Sequence, residues 1–187
     1  MAAGPTVGHE KRSSDVRVDI FRNLFTDFVD TRLHALFYDL VTVEDTVREM
    51  WKALSARDWD LLKTFLSDDC IYLDVPTGPA LAARGPEDIV KRLKIGPGLA
   101  ESYENFDGMM VDNGTDVMYE HHEEWHWSTG ESALLNFVSV HRVENGKITL
   151  WKDYWDMATL ANQAPPTWMD DLMKADMSWI FDATGLV

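Results

Sequence analysis

The chain has 187 residues, 32 acidic against 17 basic, and a formal net charge of -15. Such an acidic surface argues against nucleic acid or an anionic membrane surface as the main partner. A 45% share of aliphatic and aromatic residues is enough for a real core and excludes a disordered chain.

The single cysteine, Cys70, cannot close an internal disulfide, which suits a reducing cytoplasm and reads as a small buried residue. No apolar run is long enough to span a bilayer, and no h-region follows the early charges, so a secretory signal is not expected. Eight tryptophans and nine methionines suggest an aromatic, adaptable interior that is either core or pocket.

Residues 1–14 are small and polar and read as a disordered tail. Residues 15–41 carry apolar positions at helical spacing (Ile20, Leu24, Phe28, then Leu33, Leu36, Phe37), a helical extension. Thr42 with Asp45 reads as an N-cap for a helix running to about Ala56 on the stripe Val47, Met50, Trp51, Leu54. A short helix over 59–66 follows, with Leu61, Leu62 and Phe65 inward. Residues 70–75 alternate as a strand, 76–85 read as a loop, and Pro86 opens a helix through Leu93. Four strands then follow, over 102–111, 116–127, 132–143 and 147–157, separated by the turn signals Asp112-Asn113-Gly114, Ser128-Thr129-Gly130 and Glu144-Asn145-Gly146. A last helix is expected over 166–180.

Helices first, then a bent antiparallel meander, make an α+β layout: a cone with an apolar pocket lined by alternate strand residues. The domain would span 42–160, with 161–187 a C-terminal helical extension that either closes the mouth or packs on a partner subunit.

Ionisable groups recur at alternating strand positions. Tyr72 and Asp74 share a face, and Asp153 sits between Trp151 and Trp155 on another. On the strand VMYEHHEEWHW, one face holds Tyr119, His121, Glu123, Trp125 and Trp127, the mixture expected of a pocket wall. The other face is almost wholly polar. His121 and Glu123 are therefore placed inside, although a slip of one residue would nominate His122 and Glu124. Carboxylates crowded into an apolar cavity cannot all stay ionised, which separates a general acid from a general base. The alternative is a salt-bridged polar cluster on a sheet surface. No metal is expected: HExxH and His/Cys spacings are absent, and only His122, Glu124 and His126 could bind one incidentally. No cofactor is expected either, since there is no Gly-rich phosphate loop, and no GxSxG elbow exists.

The stretches "TVEDTVREMWKAL", "IYLDVP", "ARGPEDIV", "EHHEEW" and above all "ITLWKDYWDM" resemble the limonene-1,2-epoxide hydrolase group of the NTF2-like (SnoaL-like, ketosteroid-isomerase-like) superfamily, over about residues 42–160. The resemblance implies a cofactor-independent, one-step acid–base addition of water to a hydrophobic small-molecule epoxide. It makes Asp153 the base, with Tyr72 and Asp74 at a Tyr-x-Asn pair that holds the water. His121 and Glu123 fall at an Arg-x-Asp pair that bridges the base and supplies the acid. Trp151, Trp155, Trp125 and Tyr119 would bind substrate, and a homodimer is implied. Three positions depart from the group: aspartate for asparagine, glutamate for aspartate, and a titratable histidine for a permanent arginine cation. A dehydratase, isomerase or cyclase on a polycyclic or steroid-like substrate stays open, as does a non-catalytic binding protein.

Overall fold

A computed structural model describes residues 42–187; the expected tail and helical extension over 1–41 lie outside the described residues. Helix α1 (Val43–Ser55) begins at a capping box: Thr42 Oγ1 accepts from Asp45 N at 3.0 Å, and Asp45 Oδ2 accepts from Thr42 N at 3.0 Å. Its inward stripe of Val47, Met50, Trp51 and Leu54 is buried. Thr42→Ala removes one half of this box and is expected to cost about 1 kcal/mol in urea unfolding; an unchanged midpoint would show that the cap contributes nothing.

Helix α2 (Trp59–Phe65) is held by Asp58, which accepts from Leu61 N. Only Leu62 of its expected inward residues is fully buried; Leu61 is 46% exposed, because a seven-residue helix has a single inward stripe. Strand β1 (Leu66–Asp74) starts four residues earlier than its alternation suggests. The expected loop over 76–85 contains two short 3-10 turns and a strand, β2 (Ala82–Arg84). Helix α3 (Pro86–Lys94) buries Ile89, Val90 and Leu93.

The meander consists of β3 (Ser102–Asp112), β4 (Asp116–His126), β5 (Ser132–Glu144) and β6 (Lys147–Tyr154). Its turns match the Gly-containing signals, with Asn145 and Gly146 both at positive φ as a tight hairpin turn requires. After Tyr154 the chain does not continue as a strand. Asp156 caps a new helix, α4 (Met157–Gln163), accepting from Ala158 N and Thr159 N. The helix expected over 166–180 is only α5 (Trp168–Lys174); the chain then turns and adds a two-residue strand, β7 (Ile180–Phe181), to β2.

The sheet order is β3-β4-β5-β6-β1-β2-β7, antiparallel throughout except for the parallel β6–β1 pair. Register shifts in β3–β4, β5–β6 and β6–β1 mark the irregularities that bend a sheet. At the first of these Gly108 is obligatory, since a Cβ there would collide with the carbonyl of Glu120. Register then decides what meets: Ser139 pairs with Asp153, and Asp153 with Asp74, in one row across β5, β6 and β1. No helix among the described residues is long and apolar enough to cross a membrane.

Candidate active site

A cavity of about 190 Å³ lies on the inner face of the sheet. Its walls are mostly apolar: Trp51 and Leu54 from α1, Trp125 from β4, Leu135 and Phe137 from β5, and Trp155 after β6. Met157 and Leu160 of α4 and Trp168, Met169 and Leu172 of α5 also line it. The C-terminal segment therefore forms part of the cavity wall. The polar groups that reach it are Tyr72, Asp74, Thr77, Arg92, Glu123 and Asp153.

Asp153 is 3% exposed and fully engaged. Its Oδ1 accepts from Ser139 Oγ at 2.5 Å and from Trp151 Nε1 at 2.6 Å; its Oδ2 faces Tyr72 OH at 3.1 Å. Burial, with the neighbouring Asp74 charge, pushes its carboxyl up to about 7 against the stabilising pull of these donors. Glu123, 4% exposed, accepts from Tyr103 OH at 2.9 Å and Trp125 Nε1 at 2.8 Å. Burial and the charges of Asp153 and Asp74 raise it to about 8. One cavity thus holds two carboxyls that titrate around neutrality, in different settings.

Asp74 is held by Arg92 of α3 in a short ion pair and by Trp155 Nε1 at 2.9 Å. Tyr72 OH stands 3.1 Å from Asp74 Oδ1 as well as from Asp153. Arg92 itself lies over the ring of Trp179, 5.5 Å from its centre.

The inward face of β4 carries His121 and Glu123, in step with Tyr119 and Trp125, so His122 and Glu124 lie on the outer face. His121 does not bridge the two carboxyls, however. Its partners are Asn105 Oδ1 at 2.6 Å and Ser139 Oγ at 2.9 Å, and it does not line the cavity. It packs between Trp51, Tyr119 and Phe137, and burial lowers its pKa to about 3, so it is neutral. Tyr119 and Trp151, expected to bind substrate, are also outside the lining. Tyr119 points to Asn105 and Asp107, and Trp151 is spent on Asp153. Trp125 and Trp155 do line it.

Four polar groups escape a reading of the sequence. Ser139 continues the inward alternation Leu135, Phe137, Ser139, and Arg92 lies three residues beyond the buried Ile89; both positions were legible from period. Tyr103 and Asn105 acquire their roles only through the register of β3 with β4. Among the described residues no three His, Cys, Asp or Glu side chains gather as metal ligands. His122 stacks on Phe106, and His126 stands 3.7 Å from Glu124.

The model of the SnoaL-like domain matches residues 47–151, more than half of the chain. The chain belongs to the SnoaL-like domain family. The match begins in α1 and ends at Trp151, so it takes in the buried carboxyls of Asp74 and Glu123 but not Asp153, two residues beyond. Solved structures agree on the fold of this SnoaL-like chain. An LEH-like epoxide hydrolase of M. tuberculosis is 22% identical, with a TM-score of 0.53, over 70% of this chain and 88% of that one. A protein assigned as a SnoaL-like polyketide cyclase from Shewanella putrefaciens is 18% identical at a TM-score of 0.57, over 64% and 83%. A protein of ketosteroid isomerase-like fold from Catenulispora acidiphila, in complex with trimethylamine, is 20% identical at 0.58, over 65% and 92%. At these identities the likeness speaks for the fold alone.

Proposed function

We propose that this SnoaL-like chain adds water to a hydrophobic small-molecule epoxide by one-step general acid–base catalysis. The observation that carries the reading is the pair Asp153 and Glu123, both raised towards neutrality and both facing one aromatic cavity. Asp153, ionised, takes a proton from water as the water oxygen attacks an epoxide carbon. Glu123, protonated, gives its proton to the ring oxygen as the carbon–oxygen bond breaks. The product is a diol, and the two carboxyls regain their starting states by exchanging one proton with solvent. A base raised to about 7 beside an acid raised to about 8 is what lets one apolar cavity run both transfers.

A second reading, proton abstraction from carbon by Asp153 in an elimination, isomerisation or cyclisation, is favoured by Tyr72. Its single hydrogen is already committed between Asp74 and Asp153, so it offers a substrate or water no free donor. Incubation with a panel of apolar epoxides in heavy-oxygen water separates the readings. A diol bearing one heavy oxygen is the expected result. Unlabelled rearranged or dehydrated product would support the second reading, and binding without turnover of any class would support a non-catalytic binder.

The pH profile follows from the two carboxyls. Activity needs Asp153 ionised and Glu123 protonated, so kcat/KM should rise through about 7 and fall through about 8. In Glu123→Gln the descending limb should vanish and kcat should drop roughly 100-fold. A descending limb that survives in this variant would remove Glu123 from the role of acid.

A further inference from the structure

Asp153 belongs to a line of hydrogen bonds that leaves the cavity and ends on the surface. From Asp153 it passes through Ser139 and His121 to Asn105, whose Nδ2 donates to Tyr119 OH at 3.1 Å. Tyr119 OH donates to Asp107 Oδ1 at 2.8 Å, and Arg48 pairs with Asp107 at 2.5 Å.

The direction of this line is decided from its outer end. A salt-bridged carboxylate only accepts, so Tyr119 donates to Asp107 and accepts from the amide of Asn105. Asn105 Oδ1 then faces His121 and only accepts, so the neutral imidazole carries its hydrogen on Nδ1. Its Nε2 is left as a bare acceptor whose hydrogen-bond partner among the described residues is Ser139. Ser139 has one hydrogen and two claimants, His121 Nε2 and Asp153 Oδ1. While Asp153 is ionised, Ser139 serves it and Nε2 goes without. Once Asp153 holds a proton on Oδ1, it donates to Ser139 and Ser139 turns to His121. Only then is every acceptor along the line matched.

We propose that His121 and Asn105 are positioning residues that act through Ser139 to favour the protonated form of Asp153, because their hydrogen bonds are complete only in that state. The inference deepens the general-base reading of Asp153 and rests on it. A network satisfied after transfer and not before favours the transition state over the ground state, as a base requires. The Oδ2 side offers less: Tyr72 would pass its hydrogen to Asp74, which already accepts from Trp155 and Arg92. Other charges around the line are Glu123 and Arg92 at the cavity, Asp107 and His122 near His121, and the neutral His141 beside Ser139.

The test needs no substrate, so it can fail or succeed independently of the epoxide reading. In protein labelled with carbon-13 at aspartate carboxyls, the Asp153 signal is followed against pH, with Asp153→Asn assigning it. Ser139→Ala removes the donor to the ionised form, so the midpoint should rise by about one pH unit. His121→Phe keeps a flat ring in the stack but removes the Nε2 acceptor, so the midpoint should fall by about one unit. Asn105→Leu, at a half-buried position, frees the other tautomer and should also lower it, which keeps the test alive if the histidine variant does not fold. Shifts in opposite directions are the signature, since a merely structural role has no reason to produce them. Equal shifts of one sign in Ser139→Ala and the His121 or Asn105 variant, or no shift, would overturn the proposal. A diol-forming enzyme whose Asp153 midpoint ignores all three substitutions would overturn the role of the network and leave Asp153 as the base.

Discussion

Replacing Asp153 by asparagine is expected to lower turnover at least about a thousand-fold while leaving the protein folded. The fold should survive because asparagine satisfies the same neighbours. Its carbonyl oxygen can accept from Ser139 and Trp151, and its amide can donate to Tyr72, which donates on to Asp74. Stability provides an independent check. With the folded carboxyl raised to about 7, the folded state keeps a proton that the unfolded chain releases near 4. The folded state therefore binds more protons between these values, and stability falls as pH rises from about 4 to about 7. Asp153→Asn should flatten that part of the slope, measured by urea unfolding at several pH values. A folded variant with undiminished turnover on every accepted substrate would remove Asp153 from the reaction.

Arg92→Met is expected to destabilise the protein by about 3–5 kcal/mol near pH 7. Arg92 and Asp74 have 14% and 5% of their side chains exposed, so the pair is held almost out of water. Removing the guanidinium leaves Asp74 charged in an apolar wall, with only Tyr72 and Trp155 to solvate it. The cost should shrink when Asp74→Asn is added, because the orphaned charge goes with it. A double-mutant cycle in urea is the measurement, and a coupling near zero would mean that the pair contributes nothing. Asp74 also raises Asp153, so freeing its charge should carry the ascending limb of the activity profile upward.

Long periods made much of this arrangement legible. The turn glycines and the thirteen-residue alternation of β5 announced the meander. Tyr119 and Trp125, in step with His121 and Glu123, put the right face of β4 inside. Strands β2 and β7, with three and two residues, are too short to carry any period; β2 forms on the edge that β1 offers, and β7 on the edge of β2. The aromatic run through Trp155 hid a helix start that Asp156 and Thr159 did signal as a cap. The site divides in the same way. Which residues face inward follows from alternation, whereas their partners follow from register. Tyr103 reaches Glu123 and Ser139 separates His121 from Asp153 because of pairings between strands that no local pattern contains. Arg92 is the case between these, placed inward by helical spacing but given its meaning by Asp74, eighteen residues away.

As a base Asp153 would act on water, whereas as a nucleophile it would attack carbon. A single turnover in heavy-oxygen water, with enzyme in excess over an accepted epoxide, separates the two directly. The expected result is a diol carrying the heavy oxygen and a peptide containing Asp153 of unchanged mass. An unlabelled diol, with the heavy oxygen in the Asp153 carboxyl, would contradict it.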